Sequence, residues 1–427
     1  MRIAFSIINA NRREGTSRAI LEVAERLAVE HDVDLWARTI EDVDLSHINW
    51  IEVRGPRRPE VGDFASFKWL VDRNIERYDY DIIHSPGPNT SKADVYAIQT
   101  VHPVKMHQMA LVNADQSASW ARKISHKTYD NFVVSAERES YKYASPRGPR
   151  AFLPVSLGTK QELLETYPEC QSPSARPQSL NSNVLDPRTP SDNPRRNQSH
   201  DNVVVVPNGA DLHRFSPDNR TQHRSEVRRS HNLDEKDFVV LFSGGDWRRK
   251  GLDLLLEAFA KIDSNAIKLL VVGHDRAGAP VKQLSHKLGL TERVQFAGFR
   301  TDVHRYYAAG DVFVFPTAYE AFSLATIEAA AAGLPVLMPD VSGAEELVGS
   351  HKTGQIIPRD PDEIAKTIEE YAASPERVAR QGAAARQLVE QEFSWDVITD
   401  KTLSVYNELI RQRAELLESS VAYNHAF

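Results

Sequence analysis

The stretch Phe238-Val-Val-Leu-Phe-Ser-Gly-Gly-Asp-Trp-Arg-Arg-Lys-Gly251 joins an apolar run to a glycine-rich turn that ends in three cations. A helical pattern follows it, so this stretch predicts a buried strand, a tight turn and a helix, the unit of a parallel α/β sheet. Gly244 and Gly245 permit close approach of a ligand to the backbone, and Arg249 and Lys250 add positive charge. The turn is therefore a candidate phosphate site. The alternative is a plain turn followed by solvated charges.

Similar units recur on both sides of this stretch. Apolar runs at residues 1–8, 33–37, 81–85 and 94–101 precede it, and runs at 267–272, 294–297, 312–315 and 335–338 follow it. Strands that alternate with helices indicate parallel, doubly wound sheets. The sequence therefore predicts an α/β protein of two Rossmann-like domains that face a central cleft, with ligands outside the carboxyl ends of the strands.

A break in composition separates the two series. From residue 170 to residue 202 Ser, Pro, Asn, Gln and Arg dominate, and such a segment has too little apolar surface to offset the entropy of ordering. We predict a first domain over residues 1–169, a disordered insertion over 170–202 and a second domain over 203–395. The helical pattern over about 396–417 is expected to pack back on the first domain.

The overall composition argues against several classes of protein. The 427 residues carry a formal net charge of −7, which gives no global attraction to nucleic acid. With one cysteine, no long apolar segment and no signal-peptide pattern, we expect a cytoplasmic protein. The Walker A, G-x-G-x-x-G, H-E-x-x-H and G-x-S-x-G patterns are absent, and nothing recommends a bound metal.

The second candidate site is the run from Glu320 to Glu328. If a helix begins near Ala321, the two carboxylates lie roughly 12 Å apart along its axis. Two carboxylates that act on one bond stand about 5–10 Å apart, so these are better placed to hold different parts of one extended ligand. The alternative is a helix with an ordinary acidic first turn. The amides that would face an anion belong to Phe322, Ser323 and Leu324.

Three weaker candidates accompany these two. The run Val206-Pro-Asn-Gly-Ala-Asp211 ends a strand with an Asn-Gly pair, which a plain turn explains. His102 closes a strand-like run of the first domain and is a candidate to face the cleft, although a lone histidine is more often structural. Gly15 lies in the first strand-to-helix loop, beside side chains able to meet an anion or only water: Arg12, Arg13 and Arg18.

Taken together and in this order, these segments resemble the retaining GT-B glycosyltransferases of family four, also called group 1. The matching segments are Val206-Pro-Asn-Gly-Ala-Asp211, Arg249-Lys-Gly251, Val271-Val-Gly273, Phe296-Ala-Gly298, Asp311-Val-Phe-Val-Phe-Pro316, the Glu320-x7-Glu328 spacing, Ala331-Ala-Gly-Leu-Pro-Val336 and Ser342-Gly-Ala-Glu-Glu-Leu-Val348. Within the family, three segments look most similar to the lipopolysaccharide-core glucosyltransferase branch: Asp246-Trp-Arg-Arg-Lys-Gly251, Gly298-Phe-Arg-Thr-Asp-Val303 and Ala93-Asp-Val-Tyr96.

The resemblance implies a nucleotide-sugar donor, linked to UDP or GDP, in the second domain, with no metal and no other cofactor. It implies that Arg249 and Lys250 hold the diphosphate, Glu320 the sugar hydroxyls and Glu328 the ribose. The other donor contacts that it implies are Gly244, Gly245, Gly298, Arg300 and the amides at Phe322, Ser323 and Leu324.

On the acceptor side the resemblance implies Gly15 and Arg18, and it places His102 beside the transferred sugar. The implied acceptor is a glycan or a lipid-linked glycan, and the implied function is retaining hexosyl transfer in cell-envelope polysaccharide or lipopolysaccharide biosynthesis. Because such acceptors are often lipid-linked, basic side chains of the first domain are candidates for contact with anionic headgroups at the inner face of the membrane. A solvated charged face is the alternative.

Departures from the family pattern keep other functions open. Ala321 and Ser323 stand where many members carry glycines, which narrows the approach of the backbone to the donor. One alternative function is a sugar-nucleotide epimerase of the same fold, which needs no acceptor sugar. The other is a catalytically silent module that binds sugar nucleotides.

Overall fold

The computed structural model describes residues 1–112, 120–173, 201–349 and 352–424. Two six-stranded, all-parallel sheets dominate this part of the chain, and helices pack against them. The predicted fold class, two doubly wound α/β domains in series, is confirmed.

The first domain contains β1 to β10 and α1 to α5. Its strands are β1 (Arg2–Ser6), β2 (Asn9–Asn11), β3 (Asp32–Ala37), β4 (Thr39–Glu41), β5 (Ile48–Glu52), β6 (Ile82–Pro86), β7 (Val95–Ile98), β8 (Ala144–Ser145), β9 (Gly148–Pro149) and β10 (Ala151–Pro154). Its helices are α1 (Gly15–Leu27), α2 (Glu60–Asn74), α3 (His102–Val112), α4 (Trp120–Ser140) and α5 (Leu157–Thr166), with short 3-10 turns at Ile75–Arg77 and Pro168–Cys170. The large sheet has the order β10-β7-β6-β1-β3-β5, and β2 pairs with β4 and β8 with β9 outside it.

The second domain contains β11 to β16 and the helices from α6 onwards. Its strands are β11 (Phe238–Ser243), β12 (Ile267–Val272), β13 (Val294–Gly298), β14 (Val312–Val314), β15 (Val336–Met338) and β16 (Gly354–Ile356). The helices are α6 (Asn219–Ser230), α7 (Leu252–Phe259), α8 (Ala279–Lys287), α9 (Val303–Tyr307), α10 (Leu324–Ala331), α11 (Pro361–Ala372), α12 (Pro375–Glu392) and α13 (Trp395–Asn424), with a π-helical turn at Glu345–Gly349. The sheet order is β13-β12-β11-β14-β15-β16.

The spacing of apolar residues determines which face of each helix packs against a sheet. In α1 the side chains of Ile20, Val23, Ala24 and Leu27 are buried at three- and four-residue steps and pack against the first sheet. Burial of one such aliphatic side chain stabilises the fold by about 1.5–3 kcal/mol. Most residues of the central strands are apolar and buried, as expected for parallel sheets with helices on both faces.

The boundary between the domains lies later than predicted. Val203–Val206 does not open the second sheet, because the backbone N–H groups of Val204 and Val206 donate to the carbonyls of Phe152 and Pro154 along the edge strand β10. The predicted start of the second domain at residue 203 is therefore wrong. An apolar run beside a composition break predicts a strand, but it does not say which sheet the strand joins.

Both ends of the predicted insertion are packed. Cys170 is fully buried, and the Asn202 amide donates to its carbonyl at 2.8 Å while Asn202 Oδ1 accepts from the Ser172 N–H at 2.8 Å. The remainder of the predicted insertion, residues 174–200, lies outside the described residues.

The last helix, α13, returns to the first domain. Its Tyr406 hydroxyl hydrogen-bonds to the ring of His84 in β6, and its Arg413 forms an ion pair with the buried Asp94 at 2.6 Å. Trp395 at the start of α13 belongs to the core of the first domain as well. Within the described residues, no helix combines the length and the apolar character that a membrane span requires.

Candidate active site

A cleft of about 930 Å³ opens between the two domains. It lies beyond the carboxyl ends of β1, β7, β11 and β12, where parallel sheets of this kind bind ligands. Most of the site residues predicted from the sequence line it: Gly15, Arg18, Gly244, Gly245, Arg249, Lys250, Arg300, Glu320, Phe322, Ser323, Leu324 and Glu328. Two predicted residues, His102 and Gly298, are not part of this lining.

Trp247 fixes the loop after β11 through two hydrogen bonds. This side chain is 1% exposed, its indole N–H donates to the Gly244 carbonyl at 3.0 Å, and its backbone N–H donates to the Asp275 carboxylate at 2.8 Å. Gly244 has a φ of +139°, and a Cβ atom there would lie 2.4 Å from the Lys250 amine. The glycine therefore makes room for the ammonium group of Lys250.

Arg249 is fixed by two carboxylates and a carbonyl. Its Nη1 lies 2.8 Å from Glu320 Oε1 and 2.7 Å from the Tyr319 carbonyl oxygen, and its Nε lies 2.6 Å from Asp246 Oδ2. Burial disfavours the charged guanidinium, but the two carboxylates outweigh burial and raise the pKa of Arg249. The two predicted groups, Arg249 and Glu320, thus form one preassembled ion pair in the cleft.

Lys250 is placed differently from its neighbour. Its ammonium nitrogen lies 5.2 Å from the centre of the Phe315 ring, and among the described residues it forms neither an ion pair nor a hydrogen bond. Burial lowers the pKa of Lys250, an effect that the nearby Glu320 charge opposes. A buried ammonium without a counter-ion favours a cleft that receives an anion.

The helix that follows Glu320 is shorter than predicted. Helix α10 begins at Leu324 with Ser323 as its N-cap, so Glu320 lies in the preceding segment and the spacing expected along a helix axis does not apply. The Phe322 carbonyl accepts from the Asn208 side-chain amide at 2.9 Å rather than from a helical N–H. The first N–H groups of α10 are left without partners inside the helix, and Leu324 and Ala325 line the cleft.

Glu328 and Arg18, predicted to serve opposite sides of the cleft, meet each other. Arg18 Nη1 on α1 lies 2.6 Å from Glu328 Oε1 on α10. The other carboxylate oxygen of Glu328 accepts from the Tyr307 hydroxyl at 3.1 Å. The assignment of Arg18 to the acceptor side stays a prediction, and its guanidinium also reaches the second domain.

His102 does not face the cleft as predicted. It is the first residue of α3, its Nε2 lies 2.9 Å from Asp130 Oδ1 on α4, and its backbone N–H donates to Glu137 at 3.2 Å. Burial raises the pKa of Glu137 to about 7, although hydrogen bonds from Tyr167 and His102 oppose it. The strand ends at Ile98, earlier than predicted, and a carboxylate on the neighbouring helix holds the His102 ring inside the first domain.

Gly298 shapes the site through its backbone and does not itself line the cleft. Its carbonyl accepts from the Gly273 N–H at 2.8 Å, and its φ of +75° turns the chain so that the next two residues, Phe299 and Arg300, reach the cleft. The Phe299 side chain is 62% exposed there. The predicted position is therefore displaced by one residue from the cleft lining.

Several residues of the lining were missed by sequence reasoning. They come from both domains: Gln99, Thr100, Lys105, Met109, Asn208, Arg214, His274 and Tyr319. Asn208 carried a signal, because it lies in the Asn-Gly motif that was interpreted as a turn. Gly209 has no positive φ, and a Cβ atom there would meet the Trp395 ring at 2.9 Å, so the motif is a close crossing with the segment before α13.

The cleft is cationic although the chain is acidic. Its lining contains eight arginine and lysine side chains but only four carboxylates, against a net charge of −7 for the chain. The cations are Arg12, Arg13, Arg18, Lys105, Arg214, Arg249, Lys250 and Arg300, and the carboxylates are Asp42, Asp246, Glu320 and Glu328. Low-dielectric walls of one sign concentrate counter-ions, so the cleft favours anionic ligands. No group of three His, Cys, Asp or Glu side chains in the described ranges is arranged to hold a metal ion.

The fold is that of the GT-B glycosyltransferases, whose solved structures superpose on nearly the whole chain. Residues 223–388, all within the second domain, match the family described as glycosyl transferases group 1. WaaG, a glycosyltransferase involved in lipopolysaccharide biosynthesis, superposes with a TM-score of 0.72 and 18% sequence identity over 93% of this chain and 98% of that chain. The recognition of the family from sequence motifs is confirmed.

Two further similarities come from other lineages. A GDP-mannose-dependent phosphatidylinositol monomannoside mannosyltransferase of Mycobacterium tuberculosis is 32% identical over 211 residues, which cover 47% of this chain and 54% of the relative. HepE of Anabaena, solved with UDP-glucose, superposes with a TM-score of 0.63 and 19% identity over 98% of this chain and 100% of that chain. The chain spans about half the length of the curated relatives it matches.

Proposed function

We propose that the protein transfers a hexose from a nucleoside diphosphate sugar to a glycan or lipid-linked glycan, with retention of configuration and without a metal ion. The observation that carries this proposal is the preassembled Arg249–Glu320 pair beside the Lys250 ammonium, which has no ion-pair partner within the described ranges, in a cationic cleft between two domains. The group 1 family match and the UDP-glucose bound by HepE support a nucleotide-sugar donor.

The charges suit the departure of a diphosphate. When the bond between the anomeric carbon and the diphosphate oxygen breaks, its electron pair passes to that oxygen and negative charge develops there. Lys250, Arg249 and the N–H groups at the start of α10 line the space that would receive this charge. Fixed cations and dipoles that face developing charge are worth several kcal/mol in such a site, because they need no reorganisation.

Retention is proposed to follow a front-side path. The acceptor hydroxyl oxygen forms a bond to the anomeric carbon on the face that the diphosphate leaves, and its proton passes to the departing phosphate oxygen. The products are the glycoside and a nucleoside diphosphate, so atoms and charge balance. Glu320, held by Arg249 at 2.8 Å, is assigned to the donor sugar's hydroxyls, and Glu328 to the ribose.

The acceptor is assigned to the first-domain side of the cleft. There Gln99, Thr100, Lys105 and Met109 face the donor side across the opening. The likeness to WaaG favours a cell-envelope saccharide, and the mannosyltransferase relative favours a lipid-linked one. Both suit catalysis at the cytoplasmic face of a membrane.

A thermal-shift panel of UDP, GDP and their hexose conjugates tests the proposal. A ligand that binds only the native state raises the free energy of unfolding, and the gain is larger for a tighter ligand. We expect one nucleotide series to raise Tm progressively, with the logarithm of ligand concentration once the site is saturated. Incubation of that donor alone then separates two chemistries: slow hydrolysis supports a transferase, whereas rapid conversion to an epimeric sugar nucleotide supports an epimerase. Failure of every nucleotide to bind contradicts the proposal.

A further inference from the structure

The carboxylate of Glu328 is shared between the two domains. It lies on α10 of the second domain, and its ion-pair partner Arg18 lies on α1 of the first, with 2.6 Å between Nη1 and Oε1. The side chains are 6% and 16% exposed, so the pair is largely removed from bulk water. Such a pair is screened much less by salt than a surface pair.

Glu328 keeps accepting capacity after these contacts. Its Oε2 accepts a hydrogen bond from the Tyr307 hydroxyl, and its Oε1 is in ion-pair contact with Arg18 but accepts no hydrogen bond within the described residues. The side chain also lines the cleft. The carboxylate therefore keeps acceptor capacity for donors from a ligand, such as the two hydroxyl groups of a vicinal diol.

Arg18 places a positive charge directly beside that carboxylate. A guanidinium held against one carboxylate oxygen restricts the orientation in which the carboxylate meets a ligand. The neighbouring arginines of the first loop pair inside their own domain, Arg12 with Glu22 at 2.8 Å and Arg13 with Glu41 at 2.5 Å. Of these three arginines, Arg18 is the one whose described ion pair reaches the second domain.

We infer that Arg18 is a positioning residue for the ribose of the donor, acting through Glu328, so that the ribose site is complete only when both domains contribute to it. The inference rests on the proposed function, since it assumes a nucleoside diphosphate donor. It extends that function by assigning part of donor recognition to the first domain and by coupling donor affinity to the relative position of the domains.

The test compares nucleoside diphosphates with their 2′,3′-dideoxy forms by titration calorimetry. The variants are Arg18→Gln, Arg18→Lys and Glu328→Gln. The control is Arg26→Gln, which lies on the same helix outside the cleft lining and removes ion pairs to Glu22 and Asp396. We expect Arg18→Gln to weaken the ribonucleotide on the order of tenfold, the worth of a hydrogen bond to a charged group, and to leave the dideoxy form nearly unchanged. Arg18→Lys should restore part of the preference.

Two further readouts separate positioning from folding. Arg18→Gln should raise KM for the donor more than it lowers kcat, and it should have no additional effect on ribose preference in a Glu328→Gln background. Equal weakening of both nucleotide forms, or an unchanged preference in Arg18→Gln, overturns the inference while the proposed function stands. Absence of any nucleoside diphosphate binding by the wild-type protein overturns both.

Discussion

Gln99 and Asn208 exchange two hydrogen bonds where the domains meet. Gln99 Nε2 donates to Asn208 Oδ1 at 3.0 Å, and Asn208 Nδ2 donates back to Gln99 Oε1 at 3.3 Å. The same Asn208 amide donates to the Phe322 carbonyl at 2.9 Å. One buried amide therefore links the end of β7 in the first domain to the segment that leads into α10.

Replacement of Asn208 tests this link. We expect Asn208→Ala to lower kcat about tenfold or more, because Phe322 and the following amides lose the partner that fixes them, and a loss of 1–3 kcal/mol per unsatisfied buried group is typical. Steady-state kinetics with saturating donor gives the measurement. The Gln99→Ala variant is the control: it retains the contact to Phe322 and should lose less activity, so an equal or larger loss in Gln99→Ala would contradict the assignment.

The Arg249–Glu320 pair makes a second prediction. Glu320→Ala should reduce turnover by roughly a hundredfold or more, as loss of one preorganised charge partner does, while nucleoside diphosphate affinity changes little. The comparison variant is Asp246→Asn, which removes the other carboxylate on Arg249, one whose side chain is half exposed. Near-normal turnover in Glu320→Ala would refute the role assigned to this carboxylate.

The pH dependence of donor binding follows from Lys250. Because burial lowers the pKa of Lys250, its ammonium loses the proton at a lower pH than an ordinary lysine. Affinity for a nucleoside diphosphate should therefore fall as pH rises through that lowered pKa. Calorimetric titrations from pH 7 to about 10 measure the decline, and Lys250→Arg, which keeps its charge, should flatten it. The same slope in both proteins would show that another group titrates.

Stability should depend on Glu137. Its pKa is raised from 4.5 to about 7, so the folded state favours the neutral carboxyl and this group costs stability as pH rises from about 4.5 to 7. The full cost above that window is on the order of 3 kcal/mol. Glu137→Gln should therefore gain stability over the wild type at pH 8 but not at pH 4.5. The control is Glu139→Gln on the same helix, which removes a partly exposed ion pair to Lys68 and should leave Tm at pH 8 equal to or slightly below that of the wild type rather than above it.

Local pattern predicted much of the fold. The strand at Ile267–Val272 was placed to the residue, because a six-residue run that contains Ile and two Val residues between polar loops is too short for a helix and favours a buried strand. The start of α10 was placed too early, because the side chain that takes the Phe322 carbonyl out of the helix lies on Asn208, far away in the sequence. Long-range hydrogen bonds of this kind leave no periodic signal.

The same difference between local patterns and long-range contacts decides which residues of the candidate site were predicted. Residues that act from one loop, such as Gly244, Arg249 and Lys250, were found because their spacing is local. The partners of His102 and Arg18 were not found, because Asp130 and Glu328 lie on other helices and only packing brings them together. Which residues pair across the cleft is determined by the fold and cannot be read from spacing in the sequence.

The most direct test of the central claim is a crystal structure of the protein with a bound nucleoside diphosphate. We predict that the diphosphate lies within hydrogen-bond distance of the Lys250 ammonium and the Arg249 guanidinium, with the ribose hydroxyls on Glu328. A diphosphate bound elsewhere, with both cations directed into bulk solvent, would contradict the account.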